Sequence, residues 1–488
     1  MKTSETIIVK VEASSIFYSF IVSPDDRRTA YITKTLEKLY DGVTEETIAK
    51  YYIVVDGERY GKQYDDILTY SLNFSPDSKH IVYVAQNNGK RFLVVDDKEG
   101  RHYEYVTGKE RFFGRTLVFS PNSKQVAYVV RSKNKGKDFV VVNEKEGDQY
   151  YKIAKDSLVF SPDSNHFAYL VKMGRWSRKW RLVLNDKEEK RYDSIKKGSF
   201  FFSPDSKRVA FVALVGGKEV FVVDGIEGKK YDKIHLGSNF FTIWVGAYPF
   251  SHDSKRFAYV ADIGRRTFLV IDGIEQQSYD GDIIAERSIT FSPDSKRVAY
   301  VVQKGERLFK FKQIVVIDGK EQKSYDKIGG GGEQPYIVFS LDSMRVAYFA
   351  VDTEQGKSVI VENGKEGKRY DSMGGRSIVF SPDSTHLVYV AKEDRKMFIV
   401  FDGKEGVRYD GLAGSSLAFS PDSKILLYAA FNQGKWFVVA NGMQGKHFDR
   451  LIGMGKGIIF DSSNRFHYYA ELGSPRSFTG YLVETIID

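Results

Sequence analysis

The densest run of chemically capable side chains is Lys172-Met173-Gly174-Arg175-Trp176-Ser177-Arg178-Lys179-Trp180-Arg181, which sets five cations among two tryptophans. Guanidinium and ammonium groups neutralise phosphate or carboxylate, and indole faces stack on bases, sugars or cations. That pairing suits an anionic partner with flat or ring-shaped parts. Shorter stretches repeat the theme: Arg131, Lys133 and Lys135 within 131–137, Arg265-Arg266, and Lys304 and Arg307 within 303–312. Trp244 stands in another irregular stretch, 236–248. The competing reading is a set of solvated loops, and for Phe309 and Phe311 the start of a strand is the better account.

Catalytic chemistry finds little support. The chain has no cysteine, so thiolate nucleophiles, thiolate metal sites and disulfides are excluded. No GxSxG elbow occurs, and Gly329–Gly332 lacks the Lys-Ser/Thr that a phosphate loop needs. Of the eight histidines, His80, His166 and His386 stand where other copies of a repeated segment carry a basic residue. His102 and His447 fill a second basic position of the same segment, and His252 replaces its proline. His235 and His467 have no evident partner, and no zinc spacing exists. The expectation is a protein without cofactor, metal or catalytic residue.

The repeated segment organises everything else. FSPDS recurs at Ser75, Ser161, Ser203, Ser292, Ser381 and Ser420, with variants at Ser23, Ser120, Ser251, Ser340 and Asp461. These eleven marks, 39 to 52 residues apart, cover the chain. A period in the low forties is that of a four-stranded propeller blade. In one copy, 199–202 is a short apolar strand and Ser203-Pro204-Asp205-Ser206 a type I turn. Residues 208–212 return, 220–223 form a third strand, and Asp224-Gly225 supplies the positive φ angles of a primed hairpin. Residues 229–234 read as a polar outer strand whose charge protects the edge. The repeated aspartates of SPDS and of Tyr-Asp read as turn residues in preference to metal ligands.

The string FSPDSKRVAYV, at 291–301, resembles the TolB-like, WD-repeat-related propeller blades, in which an apolar strand, SPDG and a second strand follow one another. This chain departs from them with serine at the fourth turn position, which implies a turn that accepts a side chain. The resemblance implies blades and says almost nothing of activity, since that fold hosts many.

The fold expected is therefore all-β: a propeller of about eleven four-stranded antiparallel blades spanning 1–488. One closed ring is favoured over two, because the last repeat supplies only three strands, within 457–487, and an orphan strand at 6–12 completes it. Residues 35–50 are an insertion of helical or extended-hairpin character. A ring this wide implies a broad water-filled pore. The SPDS and DG turns should share one face, leaving the opposite face for the connections that vary, where binding belongs.

The net charge of +9 and pI near 9.1 tilt the surface towards anions. The expected role is a non-catalytic, monomeric scaffold for a protein, glycan or other polyanion, without membrane insertion. The alternatives are an active site at the pore mouth, or amplified repeats with no dedicated ligand. With no export signal visible, the cytoplasm is expected, and the periplasm or exterior if a leader has been removed.

Overall fold

The computed structural model describes residues 2–487 apart from 12–16, 41–44, 105, 107–116, 133–135, 175–176, 178, 237–248, 281–282, 285–287, 306–310, 330–335, 375–376, 452–457 and 475–476. Within these the chain is all β. Eleven antiparallel sheets succeed one another and close into a ring, a β-propeller of eleven blades. The N-terminal strand Lys2–Val11 lies antiparallel on Ser477–Ile486, with Lys2 opposite Ile486 and Val11 opposite Phe478. The eleventh blade is thus built from both chain ends.

The fifth blade shows the repeat. Ser194–Ile195 and Phe201–Phe202 both pair with Val209–Val215, then come Lys218–Val223 and the outer strand Ile226–Tyr231. Two details correct the sequence expectation. The inner strand begins before 199, and the outer strand ends at Tyr231. Residues Lys233–His235 already belong to the sixth blade. Tyr231 and Ile234 are both buried in the same interface between blades, which leaves Asp232 as the only residue that crosses.

The inner strand is interrupted, and one serine repairs the ladder. Ser199 Oγ accepts the Val212 N–H at 3.0 Å and donates to the Lys196 carbonyl at 2.7 Å. Ser71, Ser157, Ser377 and Ser416 do the same in their blades. Each hydroxyl replaces a strand bond that would otherwise be lost. Length therefore varies inside the inner strands as well as in the hairpins between second and third strands, while the step from the fifth blade to the sixth is a single residue.

Insertion 35–50 is an extended hairpin. Thr29–Tyr40 and Glu45–Val55 stay in register from Ala30 opposite Val55 to Tyr40 opposite Glu45. The flanking strands stop at Thr33 and Tyr51, so the rest stands clear of the blade as a two-stranded ribbon.

Among the described residues the buried apolar side chains fall into eleven clusters, one at each junction of neighbouring blades. Polar contacts register these junctions. The last serine of the turn has φ between 63° and 67° at nine blades, a region that favours glycine. It is held there by work glycine cannot do: its Oγ accepts the turn N–H of the preceding blade, as in Asp205 N–H to Ser254 at 3.0 Å. The same bond, 2.9–3.1 Å, joins nine pairs of blades. The arginine of the motif completes the joint. Arg256 pairs with Asp272 of its own hairpin, donates to the Ser295 and Lys296 carbonyls of the next blade, and lies 5.4 Å over that blade's Phe291. Arg28, Arg208, Arg297 and Arg345 repeat this arrangement.

At the outer strands, long side chains do the bridging, as in Lys229 to Glu275 and Lys323 to Glu366, both 2.7 Å. A hydroxyl spans the gap at the turns and a Lys–Glu pair is needed at the rim, as blades diverging from an axis require.

Replacing Ser254 tests this joint. Ser254→Ala keeps the left-handed strain and strands the Asp205 N–H, so it should lose roughly 1–3 kcal/mol of stability by urea denaturation. Ser254→Gly relieves the backbone, and its loss should be smaller by about 1 kcal/mol.

Candidate functional site

The SPDS and DG turns share one face, since Asp224 Oδ1 of the hairpin accepts the N–H of Val209 just after the SPDS turn. The opposite face carries the hairpins between the second and third strands, together with the Tyr-Asp crossings. That crossing aspartate is scaffold. Asp232 pairs with Lys218 of the blade behind and accepts the Gly264 N–H of the blade ahead at 2.7 Å. Asp371, Asp410 and Asp449 repeat the pattern.

This pattern corrects part of the expected site. Lys179 occupies the scaffold position and faces Asp193 at 3.7 Å. Lys304 is neutralised by both oxygens of Glu321, at 2.7 and 2.8 Å. Arg266 starts the third strand of its blade, opposite Asp280, in the register that Lys218 holds in the fifth. Lys133, Lys135, Arg175, Trp176, Arg178, Trp244 and Arg307 lie outside the described residues. Arg265 is exposed at a hairpin tip.

Two places gather cations. Between the second and third blades, Lys90 and Arg131 line a cleft of about 780 Å³ with Asn88, Glu104, Ser132 and Gly136. Arg131 leans on Asp138 at 3.8 Å, and its Nη2 donates to the Gly136 carbonyl. Burial raises the Asp138 carboxyl above its ordinary range, against the bond from Ile153 N–H and the charge of Arg131.

In the fourth blade, Lys152 on the inner strand stands directly opposite Lys172, and Lys172 directly opposite Trp180. This row of two cations and an indole runs outward across three strands. Lys172 Nζ lies 5.9 Å over the Tyr151 ring, and the charge of Lys152 acts on Asp138, the carboxyl that also faces Arg131. Like charges placed opposite one another destabilise a sheet. Neighbouring blades add Lys197 and Lys233, both exposed at the inner edge. The sequence reading missed Lys233 because residues 229–234 were assigned to one outer strand, and Lys152 because its Tyr150-Tyr151-Lys152-Ile153 lacks the aspartate of that motif. The signal available was the isoleucine after the lysine, shared by 150–153, 231–234 and 325–328.

The two histidines without an expected partner have one. His235 Nε2 is 2.6 Å from Asp262 Oδ2, and Thr267 donates to the other oxygen at 2.9 Å. His467 is buried where the first and eleventh blades meet. The other histidines sit in the repeat frame, for example His386 Nδ1 2.6 Å from the hairpin residue Asp402.

Perturbed groups do not gather at one mouth. Burial pushes the interface tyrosines up, Tyr259 to about 12. Turn carboxylates are held down, Asp163 to about 2, chiefly by the Ser161 hydroxyl. The carboxyls raised by burial, Asp26, Asp138 and Glu471, belong to the first, third and eleventh blades. Among the described residues no three acidic or histidine side chains are placed to hold a metal.

No family model matches the chain, and neither does any curated protein. Solved structures align with it loosely. A eukaryotic initiation factor aligns over 74% of this chain and 89% of its own, at 13% identity and a TM-score of 0.36. The β-propeller domain of the trilobed protease from Pyrococcus furiosus aligns over 66% and 94%, at 15% identity and a TM-score of 0.23. The tricorn protease aligns over 86% and 47%, at 13% identity and 0.24. Alignments this loose bear on no activity.

Proposed function

We propose that this protein is a non-catalytic binding scaffold that holds an anionic partner against the face opposite the SPDS turns, over blades four to six. The observation that carries this reading is the row Lys152–Lys172–Trp180, two opposed cations with an aromatic surface beside them. An anion lying across the row would relieve the repulsion between the lysines and let a ring stack on the indole. Elsewhere a set of lysines pairs within the ring, with the crossing aspartates and the rim glutamates. A glycan, a nucleic acid and an acidic protein segment all offer the required chemistry. The cleft with Lys90 and Arg131 extends the same preference to blades two and three.

An enzymatic reading would start from His235 and Asp262, hydrogen-bonded on the inner side of the sixth blade. Its hydroxyl neighbour, Thr267, is bound to the same carboxylate at 2.9 Å and not to the imidazole, so binding is the better account.

Retention on immobilised sulfated polysaccharide and on single-stranded RNA, measured at low and high salt, tests the proposal. The double variant Lys152→Ala/Lys172→Ala should weaken binding at least tenfold and flatten the slope of log K against log salt by roughly 1.5 for RNA. The scaffold variant Lys218→Ala should leave that slope unchanged. No retention on either matrix, or an unaltered double variant, would overturn the proposal.

A further inference from the structure

At five junctions the motif arginine closes the space above the next blade's phenylalanine. Arg28, Arg208, Arg256, Arg297 and Arg345 lie 4.8–5.5 Å from the ring centres of Phe74, Phe250, Phe291, Phe339 and Phe380. All five rings are buried, with 2–8% of their surface exposed. At five other junctions the arginine is replaced by His80, Gln125, His166, His386 or Ile425. The phenylalanines beyond them, Phe119, Phe160, Phe202, Phe419 and Phe460, are all only half-buried. The guanidinium is therefore the lid of the ring.

Between the second and third blades the parts of this arrangement persist without the arginine. His80 stands in its place and reaches only its own hairpin, with Nδ1 2.5 Å from Asp96 Oδ2. The joint itself is made, since Ser123 Oγ accepts the Asp77 N–H at 2.9 Å. The Ser123 and Lys124 carbonyls take no donor among the described residues, whereas their counterparts Ser295 and Lys296 accept Arg256 at 3.2 and 3.0 Å. Both residues line a cleft of about 460 Å³. Phe119, Leu93 and Val95 give it an apolar side, and its three carboxylates, Asp96, Glu99 and Glu144, outnumber its two lysines.

The other arginine-free junctions each lack a part. Gln125 fills its own gap, with Nε2 donating to the Ser164 carbonyl at 3.0 Å. After His166 and Ile425 the hairpin carboxylate is replaced by an amide, Asn185 or Asn441. Beside His386 the Phe401 ring lies 4.9 Å away and 6.2 Å from Phe419, and the second blade has the smaller Val95 at that place.

We propose that the cleft between the second and third blades is a guanidinium site, in which an alkylguanidinium from outside the chain takes the place that Arg256 and its four counterparts fill from within. The planar head pairs with Asp96, donates to the Ser123 and Lys124 carbonyls and stacks over Phe119. The alkyl stem lies along Leu93 and Val95. His80, whose side chain is 42% exposed, swings outward to release Asp96. An ammonium carries the same charge without the planar fork, so it cannot meet all of these partners together. The site lies on the SPDS face and takes a cation, so it stands or falls apart from the lysine row of the fourth blade.

Titration of the full chain with ethylguanidinium chloride, followed by NMR of the histidine rings, should shift His80 and leave His386 unchanged. Ethylammonium should bind at least tenfold more weakly, and so should ethylguanidinium to the variant Asp96→Asn. That variant keeps the bond to the Ile81 N–H, as Asn143 keeps the one to Val126 N–H at 3.0 Å, so it folds. His80→Arg supplies the lid in cis and should abolish binding while raising Tm. A Gly-Arg-Gly peptide that binds at least tenfold tighter than ethylguanidinium assigns the site to an arginine of a partner chain, and comparable affinities assign it to a free guanidine. The site is supported in both cases. Binding of neither probe, equal binding of ethylammonium, an equal shift of His386, or undiminished binding by His80→Arg would each overturn the proposal.

Discussion

The structure depends on a hydrogen bond between turns. A serine hydroxyl in one blade accepts the N–H of the turn before it, and nine junctions are made this way. The bond explains why a residue with a side chain tolerates a left-handed backbone, and it sets how closely blades approach at the turns. The arginine over the next blade's phenylalanine, the tyrosine at the crossing and the lysine–glutamate pairs at the rim follow from that spacing. Each adds a contact at a greater distance from the turns. Eleven modest cores joined by such contacts replace one large core, so stability is a sum over neighbours.

This frame accounts for most of the conspicuous charge. Lys179 and Lys304 read as ligand contacts until their partners, Asp193 and Glu321, are seen to come from the same sheet or the next one. What remains after such pairs are set aside is smaller and more telling. Lys152 and Lys172 stand directly opposite each other in the sheet, and Trp180 extends the row.

Much of the fold was legible in the sequence because its signals are local. Ser-Pro-Asp-Ser and Asp-Gly specify backbone angles within four residues, and Asp224 and Gly225 adopt the positive φ angles expected of them. The missing fourth strand of the last repeat and the orphan strand near the N-terminus pointed to the closure that Lys2–Val11 makes. The crossing was misplaced because Tyr231 and Asp232 look polar in sequence, while burial of the tyrosine depends on a neighbouring blade. His467 had no partner in the sequence because its contacts lie more than 400 residues away, where the eleventh blade meets the first. Periodicity reveals what every repeat shares, and these residues are where one repeat differs.

The turn-to-turn bonds all run one way. Each blade offers its N–H forward and its hydroxyl backward, so the circle has a direction. Any blade that carries both halves fits between any two others. Gain or loss of one repeat by recombination would add or remove a joint and leave its neighbours intact. Circumference is then an inheritable variable, adjustable in steps of one blade, and only the blade shared by the two chain ends must be kept for the circle to exist.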